Sequence, residues 1–172
     1  MRILLLICNL FCAVAWATSA LGERQLAANH PLAEIRYCPV GKLIYIPVQV
    51  NGSSAQWFIF DTGAPNSLID TALAKSLLLS SISSGIIHGA GKGDVSANDA
   101  GEVELTLSGL RTRVPHAKIV DLSKVPVPAK AYGLIGAEFL ERYVVRIDPL
   151  AHTIDFYDPK TFDYRGKGQS LP

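Results

Sequence analysis

Phe58-Ile59-Phe60-Asp61-Thr62-Gly63-Ala64-Pro65-Asn66-Ser67 is the stretch on which the reading of this chain turns. Three apolar residues run straight into a carboxylate. A charge at the end of such a strand is costly unless partners surround it. Thr62 offers a hydroxyl, and Gly63 lets backbone come close. Asp-Thr-Gly alone is a weak signal, because such tripeptides also form ordinary turns. Its setting is what gives it weight.

Upstream lies Leu43-Ile44-Tyr45-Ile46-Pro47-Val48-Gln49-Val50, rich in β-branched and aromatic residues, then Asn51-Gly52. Two apolar runs around Asn-Gly predict a hairpin whose second strand ends on Asp61. Asn51-Gly52-Ser53 is also a glycosylation sequon, although the turn accounts for Asn-Gly by itself. Downstream, a short helix is expected over Thr71 to Leu78, with Leu73, Leu77 and Leu78 on one face. A Gly-rich stretch, Gly85 to Gly93, follows. Strands are expected over Gly101 to Leu107 and Arg111 to Val120, joined at Ser108-Gly109. Val125-Pro126-Val127-Pro128 reads as a loop, and Gly133-Leu134-Ile135-Gly136 as a short buried strand. Ala137 to Arg142 reads as a helical turn whose Glu138, Glu141 and Arg142 form a solvated face. Tyr143 to Asp148 and Thr153 to Tyr157 make a last hairpin. Many short strands with few helices predict a mainly β domain, a small barrel or a sandwich.

Three pieces in this order resemble the retropepsin-like aspartic proteases, the one-domain relatives of the pepsin family. Asp61-Thr62-Gly63-Ala64 is similar to their catalytic loop. Gly85 to Gly93 is similar to the Gly-rich flap, with Ile87, His88, Gly89 and Gly91 as flap candidates. Leu134-Ile135-Gly136 is similar to the segment that supports the catalytic loop. Bacterial exported members are the nearest in character. The resemblance covers Leu43 to about Tyr157 and implies a closed retropepsin-like β-barrel, one lobe with one or two short helices.

It also implies a mechanism. Two aspartates from two identical loops meet across a two-fold axis. Like charges that close cannot both ionise, so the dyad shares a proton. One member activates a water and the other polarises the peptide carbonyl, with no cofactor and no metal. Asp61 is then the catalytic residue. The Thr62 hydroxyl locks the two loops together, and the Gly63 backbone lines the substrate channel. Pro65 departs from the Asp that many retroviral members carry there, whereas Asn66 matches the pepsin-like loop. Ala64 replaces a Ser whose hydroxyl could bond the outer carboxylate oxygen, which implies an optimum at mildly acidic pH.

The rest of the chain bounds the setting. Residues 1–20 read as a secretory signal peptide: Arg2, an apolar run, then Ala17-Thr18-Ser19-Ala20. Export to a periplasm or to the medium is the expectation. Residues 21–42 read as a loosely packed N-terminal arm, 43–158 as the retropepsin-like domain and 159–172 as a polar tail. Twenty of the 172 residues leave with the leader, and the remainder suits one domain of the usual ~100–200 residues. The full chain has 16 Lys+Arg against 15 Asp+Glu, a balance without the basic excess of a nucleic-acid binder. No stretch after Ala20 is long and apolar enough to span a membrane. Cys38 alone remains after Cys8 and Cys12 are removed, and it reads as a small buried side chain. His30, His88, His116 and His152 show no metal-ligand spacing. Gly89-Ala90-Gly91-Lys92-Gly93 fails as a phosphate loop, since Ile86 and Gly93 stand where Gly and Ser or Thr are needed.

Asp-Thr-Gly occurs once in the chain. The reading is therefore half an aspartic dyad, completed by a second copy or by another retropepsin-like lobe, acting on a peptide or protein substrate. The competing readings are a catalytically silent module that binds peptides or partner proteins, and a structural β-domain in which Asp-Thr-Gly is incidental.

Overall fold

The computed structural model describes residues 30–88, 94–125 and 127–164. The expected leader (1–20), the start of the expected arm, the flap candidates Gly89 and Gly91 and the expected tail from 165 lie outside them. Strands β1 (Ala33–Arg36) and β2 (Cys38–Val40) fall inside the expected loose arm, so that expectation is corrected from Ala33 onward. Ala33 and Ile35 are buried while Glu34 and Arg36 are exposed. Four residues are too few to show this alternation against a polar background. Cys38 is exposed, contrary to the buried reading, because it sits on the strand added at the side of the next one.

The Asn-Gly hairpin forms as expected from β3 (Leu43–Val50) and β4 (Gln56–Phe60), with Ile46 opposite Phe58. Asn51 and Gly52 have φ of 48° and 75°, the left-handed pair that matches strand twist. Asn51 has a second task. Its Oδ1 accepts from the Glu104 N–H at 2.8 Å, and its own N–H donates to the Glu104 carbonyl at 2.8 Å. Phe58, Ile59 and Phe60 are all buried. Phe58 and Phe60 enter the main core, while Ile59 packs with Tyr45 and Ala131 on the opposite side.

After β5 (Leu68–Asp70), helix α1 (Thr71–Ser76) starts on Asp70, whose Oδ1 accepts from the Ala72 N–H at 2.9 Å. Such a cap is worth about 1 kcal/mol over Ala. The shared leucine face needs one correction. Leu78 is exposed, with a φ of 54° that ends the helical path, and Leu79 packs on the core instead. β6 (Ser83–His88) and β7 (Asp94–Asp99) pair antiparallel, Ile87 opposite Val95. β8 (Val103–Leu107) and β9 (Leu110–Val114) form the next hairpin. The single strand expected over Arg111 to Val120 is two, because β10 (Lys118–Val120) leaves β9 and pairs with β7 and β5. Pro115 stands at the break, and proline cannot donate to a ladder.

β11 (Gly133–Ile135) runs parallel to β4 and antiparallel to β5. It thus threads between the two strands that the Asp61 loop connects. Only glycine fits at its start: a Cβ on Gly133 would lie 2.0 Å from Phe58 Cε1 and 2.5 Å from the Leu68 carbonyl oxygen. Helix α2 (Ala137–Leu140) follows, then β12 (Val144–Asp148) and β13 (Thr153–Tyr157). Among the described residues the large sheet runs β6-β7-β10-β5-β11-β4-β3-β8-β9, with β2 on β3, and the small one β1-β13-β12. Ile35, Phe139, Ile154 and Phe156 join the small sheet and α2 to the core that β3, β4 and β8 fill. No helix among the described residues is long and apolar enough to cross a membrane.

Candidate active site

Asp61 follows the last residue of β4. Its N–H donates to the Ile135 carbonyl at 3.1 Å, extending the β4–β11 ladder by one step into the loop. Its Oδ1 accepts from the Gly63 N–H at 2.8 Å, a bond that turns the chain sharply and fixes the carboxylate. Gly63 leaves that oxygen room, since a Cβ there would come within 3.3 Å of it. Thr62 and Gly63 are exposed, and Asp61 and Ala64 are partly buried.

The far half of the loop is tied to α2 and the residue before it. The Ala137 N–H donates to the Ala64 carbonyl at 2.8 Å, and the Glu138 N–H to that of Pro65 at 3.2 Å. The Gly136 N–H donates to Ser67 Oγ at 3.2 Å, in the interior. The Glu138 carboxylate completes the attachment. Oε1 accepts from the Ser67 N–H at 2.6 Å and Oε2 from Asn66 Nδ2 at 3.0 Å. The solvated face expected for α2 therefore holds for Glu141 and Arg142, which are exposed, and is corrected for Glu138. An acidic residue in the first turn of a helix is the one local signal of this role. Its partners lie 71 and 72 residues away, and no local pattern reveals them.

Asp61, Gly63 and Ala64 border a cleft of about 270 Å³, together with Asn66 and Leu134. Ile87 and Val95, from the paired strands β6 and β7, form one side. Val120, Leu122, Val125 and Val127 form another that sequence reading missed, because a bare Val-Pro repeat looks like any loop. Among the described residues Asp61 is the one ionisable side chain on the cleft wall. Ile135 is fully buried in the main core, and Leu134 turns the other way, toward Ile59 and the cleft. Gly136 is the hinge between them and α2. His88 ends β6 opposite Asp94. The base of the β6–β7 hairpin is held at Asp99, whose Oδ2 accepts from Lys118 Nζ at 2.8 Å and lies 3.3 Å from His116 Nδ1. The Lys118 hydrogen bond and then the Gly101 N–H hold the Asp99 carboxyl below the usual carboxylate range.

A family profile described as aspartyl protease matches residues 46–139, from the middle of β3 to the third residue of α2. No curated protein sequence matches the chain. Among solved structures, a retropepsin-like aspartic protease from Rickettsia conorii is similar at 19% identity and a TM-score of 0.50, over 73% of this chain and 90% of that one. The EIAV protease complexed with the inhibitor HBY-793 is similar at 21% identity and a TM-score of 0.46, over 60% and 90%. The retroviral protease-like domain of Ddi1 from Leishmania major is similar at 17% identity and a TM-score of 0.45, over 67% and 93%. With Asp61 held at the exit of β4, β11 wedged beneath its loop and the β6–β7 hairpin beside the cleft, the fold is retropepsin-like and the chain belongs to the aspartyl protease family.

Proposed function

We propose that the chain is an aspartic endopeptidase that works as a pair, with Asp61 of each copy supplying half of the dyad. The observation that carries this reading is that Asp61 stands as the single ionisable group, among the described residues, on a cleft wall made mostly of apolar side chains. One carboxylate cannot be ionised to activate water and protonated to polarise the scissile carbonyl at the same moment. Two carboxylates sharing a proton can. Ionised Asp61 takes a proton from the attacking water while its partner donates to the carbonyl oxygen. The tetrahedral intermediate then collapses as a proton moves to the leaving amine.

The Thr62 hydroxyl, exposed at the loop tip, is placed in this reading to meet its copy across the two-fold axis. Ile87, His88 and the flap tip close over an extended peptide, and the Val and Leu walls favour apolar side chains. The apolar N-terminal run ending in small residues supports export before the protein acts.

Cleavage of a broad peptide library by the full chain and by Asp61→Asn, with the mass in solution from light scattering, tests the proposal. Cleavage by a pair that the substitution abolishes is the expected result. Equal behaviour of both proteins would sink the enzymatic reading, and cleavage by a strict monomer would sink the shared dyad.

A further inference from the structure

We propose that Glu138 is a positioning residue for substrate binding, acting by fixing which way round the Asn66 amide stands. The inference rests on the aspartic-protease reading of the cleft. Glu138 lies behind the cleft wall, whereas Asn66 is part of it. The contacts between them are specific: Asn66 Nδ2 donates to Glu138 Oε2 at 3.0 Å, while Glu138 Oε1 is held by the Ser67 N–H at 2.6 Å. An ionised carboxylate accepts and cannot donate. Asn66 must therefore turn its NH2 toward Glu138, which leaves the amide oxygen on the other side of the group. Its loop neighbours Ala64 and Pro65 have no polar side-chain atom. On this proposal that oxygen is the atom Asn66 offers to the cleft it lines, a carbonyl acceptor that complements a backbone N–H of an extended peptide. Asn66 makes the contact; Glu138 decides that the atom offered is an acceptor.

The isosteric substitution Glu138→Gln separates this role from a structural one. The new amide can still accept from the Ser67 N–H with its oxygen, but its NH2 then faces Asn66. Two NH2 groups cannot bond, so the Asn66 amide turns over and presents its oxygen inward. The number of hydrogen bonds is kept, the backbone bonds from α2 to the loop are untouched, and the cleft is offered a donor in place of an acceptor.

The test is steady-state cleavage of a peptide substrate by the full chain, with thermal unfolding and the side-chain amide NMR signals of Asn66 as companions. For Glu138→Gln the expected result is a KM raised about three- to tenfold, the span of one net hydrogen bond. The kcat stays within about twofold, and the unfolding temperature stays near that of the parent. In an Asn66→Ala background, Glu138→Gln has no further effect on KM. An unchanged KM, or an equal rise with and without the Asn66 side chain, overturns the proposal. So does an Asn66 NH2 signal that Glu138→Gln leaves unmoved. The NMR readout needs no turnover: a chain that cleaves nothing counts against the enzymatic reading, and the amide signals still decide the orientation of Asn66.

Discussion

Gly136 and Asn66 touch through their backbones: a Cβ on Gly136 would stand 2.5 Å from the Asn66 carbonyl oxygen and 2.8 Å from that of Ala64. The closeness brings α2 within reach of the Asp61 loop, so that the Ala137 and Glu138 N–H groups can meet the carbonyls of Ala64 and Pro65. The obstructing atoms are backbone, which has no rotamer to escape into. Gly136→Ala should therefore cost about 1–3 kcal/mol of stability, as overpacking does. It should also lower activity further than the loss of folded protein explains, because the loop must move. Urea unfolding alongside kcat per folded molecule checks both. A stable, fully active variant would show that the loop does not depend on this contact.

Arg146 and Asp155 face each other across β12 and β13. Asp155 is 1% exposed, and its Oδ2 accepts from Arg146 Nε at 2.7 Å and from the Tyr157 hydroxyl at 3.3 Å, with Arg146 Nη2 in an ion pair 2.5 Å away. Asp155 Oδ1 is buried with no hydrogen-bond partner among the described residues, so the carboxylate leans on Arg146. Arg146→Met should destabilise by about 2–3 kcal/mol, less than for a fully buried pair because the arginine reaches solvent. Replacing both residues, Arg146→Met with Asp155→Leu, should recover most of that loss. Chemical denaturation of the four proteins of this cycle gives the answer.

The Asp99 carboxyl is held below its ordinary value first by the Lys118 hydrogen bond. A depressed carboxylate adds stability above its unfolded-state value and loses it as pH falls through the folded one. The contribution is thus present at neutral pH and fades in the range below about pH 4. Lys118→Met should lower the unfolding temperature at pH 7 and flatten its fall on acidification. Amide exchange in β7, which ends at Asp99, should quicken at pH 7. Parallel curves for both proteins down to pH 2 would dismiss the pair as a contributor.

A shared dyad makes inactivation transmissible. An equal mixture of wild type and Asp61→Asn, left to exchange protomers, should retain roughly one quarter of the activity of the same total wild type, as random pairing in a two-fold dimer requires. Retention of one half would mean that each chain works alone.

The sequence by itself determined the elements whose signals are local. The Asn51-Gly52 hairpin, the carboxylate at the end of its second strand, the Gly133 to Ile135 strand and the final hairpin are each written within a few residues. Asn-Gly sets backbone angles, and an apolar run ending on Asp61 marks a charge that needs a site. The tertiary structure decided what depends on distant partners. Ala33 and Ile35 become core only because β13 lies beside them. Cys38 is exposed because its strand joins the sheet at the side. Val120, Leu122, Val125 and Val127 become a cleft wall only when β10 lies next to β5. Glu138 ceases to be a surface charge because β11 threads between β4 and β5 and delivers α2 to the Asp61 loop. Burial and hydrogen bonding are properties of surroundings, and for Glu138 those surroundings come from residues 72 and 71 positions away.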